Sequence, residues 1–418
     1  NAAGEWSIAA RRFAEGNGAT VADIYFRQQD KHEYCFLRIE TKGKHLVELA
    51  SDIVSGLIRS LQFPKSMGWE DSTATFSRPI RGLLVLHGST PVPVAWTVRE
   101  GNGGVPARVL HSGTVTFGHR RLCPGPAPVP SVKEYASCLR DRMVLVDREE
   151  RMQALRDAVA GCCAEHNLKP EEDDELFEEV CDLVEWPEAI LCRIPSDALD
   201  LPEPILITPM KVHQRYIPLR EADGRLSGWF IAVANGRHDA EGQRLIRTGN
   251  ERVLNARLRD AKYFWDTDTK TPLAQFAARL SSILFHQELG SVADKVSRIK
   301  QLYIKLRKHL PKTDEKEMNQ VLELMKADLT TQMVFEFDSL EGVVGMLYAR
   351  KEGIPEPVAQ AILDHRLPRR AGDALPSGPL GIAAGLLDRF DTLAGYFGIG
   401  IRVKGTSDPY ALRRNALA

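Results

Sequence analysis

From Val292 onward one spacing dominates the chain. Val292, Val296, Ile299, Tyr303, Leu306 and Leu310 recur three to four residues apart, the period of a helix with one apolar face. Further helices are predicted around 317–329, 331–350, 357–366 and 380–397, with Pro355 and Pro357 marking one of the starts. This grammar begins after Pro272; before it, β-like and helical runs alternate. The fold class expected is therefore α+β and multidomain, with a mixed α/β N-terminal two-thirds followed by an all-helical domain. A length of 418 residues accommodates two or three domains. We place them at 1–130, 131–271 and 272–418, with the Pro-rich "CPGPAPVPS" (123–131) at the first boundary.

In the first region, residues 6–16 read as a helix followed by Gly16 and Gly18. "VADIYFRQ" and "EYCFLRIET" are β-like, "HLVELASDIVSGLIRSL" returns to helical spacing, and strands and loops follow to His119. In the second, acidic "EEDDELFEEV" follows one helix and starts another, and "QRYIPLREADGRLSGWFIAVANG" reads as a hairpin turning at Asp223-Gly224.

The next segment, "GNERVLNARLRDAKYFW" (249–265), is an amphipathic helix with two distinct faces. Leu254, Leu258, Ala261 and Trp265 form the apolar stripe, while Arg252, Arg259 and Lys262 gather on the far side. Thr248 and Glu251 have capping-box spacing, with Asn250 as a second possible cap. Arg257 lies beside the apolar seam, where an arginine usually needs an anionic partner.

Net charge is −1, so any nucleic-acid surface must come from local segregation of charge. Seven cysteines without a C-x-x-C read as reduced thiols of a cytoplasmic protein. The most apolar stretch, Pro379 to Ile401, is interrupted by Asp388, Arg389 and Asp391 and reads as a buried helix, not a membrane span. The chain opens on Asn1-Ala2-Ala3, and its last helix, capped by Ser407 or Asp408 before Pro409, reaches Ala418 without a stop signal. A piece of a longer polypeptide is expected.

No nucleophile elbow, Walker loop or HExxH pair occurs. "GNGGVP" at Gly101 lacks the lysine of a phosphate loop and reads as a plain loop. "TFGHR" sets His119 beside Arg120, as a polar turn or a phosphate contact, with the turn preferred. "MKVHQRYIPL" clusters Lys211, His213, Arg215 and Tyr216, a cation and ring mixture suited to RNA; an inward Tyr216 with solvated cations explains it equally. The C-terminal helices have the frame of a metal-dependent HD-type phosphohydrolase, whose His and Asp ligands hold metal ions that activate water. Gly290 and Lys326-Ala327-Asp328 stand where ligands should be, leaving Asp388 or Asp391 and the isolated His365. The expectation is buried packing and no metal site.

Taken in order, "FPKSMGWEDSTATFSRPIRGLLVLHG", "GTVTFGHR", "DLVEWP", "ITPMKVHQRYIPL", "GNERVLNARLRDAKYFW", "LGSVADKVSRI", "KADLTTQMVFEFDSLEGVVGMLYA" and "LLDRFDTLAGYFGIG…GTSDPYALRR" resemble the β subunit of bacterial heterotetrameric glycyl-tRNA synthetase across nearly the whole chain. The family's N-terminal strand and its C-terminal anticodon-binding domain are missing from the match, and Gly68 and Gly82 stand where relatives often show Arg and Trp. The resemblance implies a partner α subunit, in two α and two β chains, that holds the class II site, with ATP and Mg bound there and no cofactor in this chain. It implies tRNA(Gly) as a partner, no membrane, and an HD-like domain that has lost its ligands. A reader for the basic helix also follows: tRNA phosphate or an acidic surface of α. The candidate tRNA-binding residues are Arg252, Arg257, Arg259, Lys262, Lys211, His213, Arg215, His119 and Arg120, with no catalytic residue. The function expected is tRNA binding and assembly with α for glycylation. The alternatives are an HD-type phosphohydrolase and a structural scaffold for α.

Overall fold

The computed structural model describes residues 6–29, 32–40, 42–69, 75–99, 106–370, 372–403 and 408–417. Gly101–Val105 of "GNGGVP" lie outside them. The chain divides into two compact units, one of Asn1–Phe117 with Gly125–Cys138, the other of Gly118–Pro124 with Leu139–Ala418.

In the first unit the two β-like runs pair as an antiparallel hairpin, Ile24–Gln29 with His32–Leu37. Helix Leu46–Ser60 sets Ile58 against Trp96 and Val98 of strand Ala95–Arg99. That strand borders a three-stranded sheet whose centre is Arg108–Gly113. Alternation explains the core: Trp96 and Val98 are buried, while Ala95, Thr97 and Arg99 are not. A Cβ built at Gly68 or Gly82 meets nothing within 4 Å among the described residues.

The second unit is built on a four-stranded antiparallel sheet in the order Lys169–Pro170, Ile217–Arg220, Leu226–Asn235, Pro187–Arg193. The hairpin turns at Asp223-Gly224 as expected: Gly224 has φ 87° and the Asp223 carboxylate accepts from Arg225 N–H at 3.1 Å. One sheet face, with Ile217, Leu219 and Ile231, packs on Leu155, Val159 and Phe177 of helices Arg148–Ala164 and Asp174–Leu183. The other, with Ile190, Phe230 and Ala232, packs on Leu254, Leu258 and Ala261 of one long helix, Ala240–Asp268.

That helix starts nine residues earlier than the sequence suggests. Its N-cap is Asp239, whose carboxylate accepts from Gly242 N–H at 2.8 Å. The expected caps sit in its interior with other partners. Glu251 accepts from Arg193 N–H at 2.8 Å, and Asn250 Oδ1 accepts from Tyr216 O–H at 2.7 Å. The expected apolar stripe is in place, with Leu254, Leu258 and Ala261 buried and Trp265 half-buried.

The core on this side continues past Pro272 to Met333, Phe337, Val344 and Tyr348. Pro272 marks a change of secondary structure without a break in packing. Beyond it the chain is helical: Val292–Leu306, Glu315–Leu324, Gln332–Glu336, Val343–Lys351, Glu356–Asp364 and Pro379–Gly398. A short hairpin, Leu284–His286 with Gly290–Ser291, is the strand pair described there. The helix expected over 331–350 is two, separated by Gly342 at φ 84°. Gly290 has φ 81°, and a Cβ there would lie 2.4 Å from the Asp294 carboxylate that caps Val292–Leu306. The last helix, Leu412–Leu417, begins after Pro409, with Asp408 accepting from Leu412 and Arg413 N–H. Among the described residues all seven cysteines are free, and no helix is long and apolar enough to cross a membrane.

Candidate functional site

The long helix presents Arg252 and Arg259 to solvent and leaves Lys262 half-buried. None of the three makes an ion pair among the described residues. The same face carries a ring the sequence reading missed. Tyr263 is 61% exposed, and at 100° per residue it lies about 40° around the helix from Arg259. An exposed tyrosine among unpaired arginines is a stacking and phosphate-binding combination. Its signal was the i, i+4 spacing from Arg259. Asp266 shares this face, one turn beyond Lys262, so its charge is mixed toward the C-terminal end.

Arg257 has the anionic partner expected of it: Nη1 donates to Glu336 at 2.9 Å. The pair is not buried, with the side chains 39% and 40% exposed. Arg257 therefore stands apart from the open cations as one half of a surface ion pair bridging two helices.

The "MKVHQRYIPL" cluster is mostly engaged within the fold. Tyr216 points inward, stacked on Phe230 at 4.7 Å. Lys211 pairs with Asp173, and Arg215, itself at φ 57°, pairs with Glu179 at 2.5 Å. Both carboxylates come from the acidic stretch at 171–180. His213 is exposed, edge-on to Phe337 at 5.7 Å.

His119 is 2% exposed. Its Nδ1 accepts from Arg121 and Leu122 N–H at 3.3 and 3.2 Å, so Nε2 carries the proton of the neutral ring and lies 4.0 Å from Glu185. This geometry is the polar turn. Arg120 beside it is exposed.

A second cation–ring grouping escaped the sequence reading because its members are far apart in the chain. Arg193 lies 4.4 Å over the Trp229 ring, which His166 also approaches at 5.3 Å. They line a cavity of about 460 Å³ with Cys162, Arg247 and Glu251.

In the helical region the residues weighed as metal ligands form a different structure. Asp388 Oδ2 accepts from Lys326 Nζ at 2.9 Å, and Lys295 Nζ lies 3.0 Å from Asp388 Oδ1. Lys295 also donates to Asp391 Oδ2 at 3.1 Å and Thr392 Oγ1 at 2.7 Å, and Arg298 holds Asp391 through two bonds. Burial would raise the Asp388 carboxyl, but Lys326 and Lys295 hold it well below the usual carboxylate range. Asp328 points elsewhere, accepting from Gly342 and Gly345 N–H at 2.6 and 3.1 Å. Burial, with Glu341 nearby, raises it to about 6. No group of three His, Cys, Asp or Glu side chains able to hold a metal occurs among the described residues. Two ammonium groups occupy the carboxylates instead.

The glycyl-tRNA synthetase beta subunit family matches residues 1–418. The glycine–tRNA ligase beta subunit of Desulfitobacterium hafniense (strain DSM 10664 / DCB-2) is 37% identical over 418 residues, 100% of this chain and 59% of that protein. Its namesake from Moorella thermoacetica is 39% identical over 415 residues, covering 99% and 58%. That of Bacillus subtilis (strain 168) is 37% identical over 418 residues, covering 100% and 59%. The chain thus spans about 59% of the length of these curated relatives. With the match running through the sheet, the long helix and the lysine-filled helical region alike, the chain belongs to the glycyl-tRNA synthetase beta subunit family.

Proposed function

We propose that this chain contributes tRNA binding, and assembly with a catalytic α subunit in an assembly of two α and two β chains, to the ATP-dependent glycylation of tRNA(Gly) in the cytoplasm. It supplies no aminoacylation site of its own; ATP and Mg belong to α. The observation that carries the tRNA role is the outer face of the long helix, where Arg252, Arg259 and Lys262 have no ion-pair partner among the described residues and Tyr263 stands exposed beside them. The stripe from Leu254 to Trp265 anchors the helix to the core on its other side and leaves that face outward. Cations on a rigid element neutralise backbone phosphates without reordering the protein, and the ring offers a base a stacking partner. Arg120 and His213, both exposed, are secondary candidates. Lys211, Arg215 and Arg257 already hold carboxylates, and His119 holds a turn, so they contribute through the fold.

The test is the triple replacement of Arg252, Arg259 and Lys262 by Ala in the full-length β chain, alone and assembled with α. Phosphate contacts release counterions, so affinity for tRNA should fall and the salt slope should flatten by about one unit per lost contact. A triple variant that binds tRNA normally but fails to capture α would make the face an assembly surface and refute the reading. The β chain freed of α should form no glycyl-tRNA. Near-stoichiometric transition metal in the purified chain would favour the phosphohydrolase reading, against which Lys326 and Lys295 already occupy the Asp388 carboxylate.

A further inference from the structure

The lysine-filled centre opens into a cavity of about 420 Å³. Its wall holds Lys295, Lys326, Arg366, Arg369, Arg389 and Arg414, against Asp388 as its one carboxylate among the described residues. Part of this charge is internally balanced. Lys295 and Lys326 face Asp388 and Asp391, and Arg366 pairs with Glu341. Arg369 and Arg389 make no direct ion pair among the described residues, although Glu341, Asp373 and Asp328 act on Arg369, and Asp388 on Arg389, through space. Both are half-buried, and their bonds go only to backbone carbonyls: Arg369 to Ser339 and Glu341 at 3.1 and 2.8 Å, Arg389 to His365, Leu367 and Pro368 at 3.3, 2.7 and 3.2 Å. The Nε of each is buried without a partner among the described residues. Buried guanidinium groups without a carboxylate are costly unless an anion joins them. Arg414, exposed on the same wall, is also without an ion-pair partner among the described residues.

Two further features narrow the anion. His365 lines the cavity and is 1% exposed. Its Nδ1–H donates to the Ile362 carbonyl at 2.6 Å, so Nε2 is an acceptor, and that atom has no partner among the described residues. It lacks a donor, which a bare phosphate or sulfate supplies poorly and a ribose hydroxyl supplies well. The lining is also aromatic: Tyr410 stacks on Tyr396 with centroids 4.6 Å apart and an interplanar angle of 29°, and Phe285 stands 5.5 Å from Tyr396. Tyr410 lines the cavity and is 39% exposed, so its side chain is accessible to a base that would stack on it.

We propose that this cavity binds a nucleoside phosphate, its phosphoryl group on the arginine wall, a ribose hydroxyl toward His365 Nε2 and its base against Tyr410. The site binds without hydrolysing, since the Asp388 carboxylate that would hold a metal is held by ammonium groups. The proposal does not depend on the long helix being an RNA surface. One chemistry here has two sources, a free nucleotide or the phosphorylated terminal nucleotide of an RNA.

Isothermal titration of the full-length β chain with AMP, ribose 5-phosphate, adenosine and inorganic phosphate tests it. AMP should bind in a salt-dependent manner, and adenosine and inorganic phosphate at least about tenfold more weakly, because each lacks one half of the recognition. Arg414→Gln and Tyr410→Ala alter accessible side chains and leave the buried network intact. The first should weaken AMP about tenfold; the second should weaken AMP but not inorganic phosphate. No AMP binding at millimolar concentration, equal affinity for AMP and inorganic phosphate, or unchanged AMP binding in both variants would overturn the proposal, as would equal competition by an acidic peptide. Displacement of AMP by a 5′-phosphorylated RNA hairpin, but not by its dephosphorylated form, assigns the site to an RNA end; no displacement by either assigns it to a free nucleotide. The triple variant of the long helix should bind AMP as the parent does, which separates a failure here from a failure of the tRNA surface.

Discussion

Replacing Asp388 by Asn should destabilise the second unit by roughly 3 kcal/mol, at the low end of the 3–5 kcal/mol range for breaking a buried ion pair. The structure sets that magnitude. Lys326 is nearly fully buried and its ammonium has Asp388 as its one acceptor among the described residues, so the substitution strands a charge. Lys295 is less affected, because Asp391 and Thr392 still accept from it. Asp388 is 17% exposed, which lets water reach part of the site and keeps the cost from the top of the range. The comparison is Lys326→Met in the Asp388→Asn background, which removes the stranded ammonium and should recover about half of the loss. Urea unfolding followed by far-ultraviolet circular dichroism reads all of these variants. Because the Asp388 carboxyl is held below its unfolded value, its contribution is present above the usual carboxylate range, near pH 4, and is lost as pH falls toward the folded value. The acid limb of the Asp388→Asn profile should therefore be flatter than that of the parent. A cost under about 1 kcal/mol for Asp388→Asn, or a double variant equal to the sum of its singles, would refute the coupling.

Asp328 should show the opposite pH dependence. Its folded value is raised from 3.8 to about 6, so its contribution is full below pH 4 and is lost through pH 6, on the order of 3 kcal/mol. Asp328→Asn keeps an acceptor for Gly342 and Gly345 N–H and should be the more stable form above about pH 7 in urea melts. Arg257→Ala should cost less than about 1 kcal/mol by the same assay, because its partner Glu336 is also at the surface. His119→Ala should cost about 1–3 kcal/mol by leaving the Arg121 and Leu122 N–H groups without their acceptor, and should leave tRNA affinity unchanged in filter binding.

Elements defined by local periodicity were legible in the sequence; elements defined by competition between local signals were not. The hairpin at Asp223-Gly224 and the stripe Leu254–Leu258–Ala261 came through, since turn chemistry and helical period act over a few residues. The true start of the long helix did not. Gly242 and Gly249 look like breaks and Thr248-x-x-Glu251 looks like a cap, yet the sheet covering Leu254 and Leu258 stabilises the helix through them. Conversely the expected helix over 331–350 yields at Gly342, whose N–H and positive φ serve the buried Asp328. The outer cations of the long helix were visible from spacing. That Lys211 and Arg215 are neutralised by Asp173 and Glu179 was not, because those partners lie more than thirty residues away.

The helical region shows why absence in a sequence and occupancy in a structure are different observations. A missing histidine is visible in "KADL", and the lack of a ligand set follows from it. What replaces the set is not visible, because Lys326 is 62 residues from Asp388 and Lys295 is 96 from Asp391. Only packing of the helix Pro379–Gly398 between the other two segments brings the four side chains together. Once it does, the arrangement has a direction. Lys295 lies between Asp388 and Asp391 and Lys326 holds Asp388 from a second side, so neither carboxylate is left to face the other alone. Arg298, also on Asp391, leaves this cluster one cation in excess, and Arg369 and Arg389 add to the cavity wall guanidinium groups whose bonds go to backbone carbonyls. The lysines thus satisfy the two carboxylates that a metal site would need, and the same helices that bring them together place Arg369 and Arg389 on the wall of the adjoining cavity.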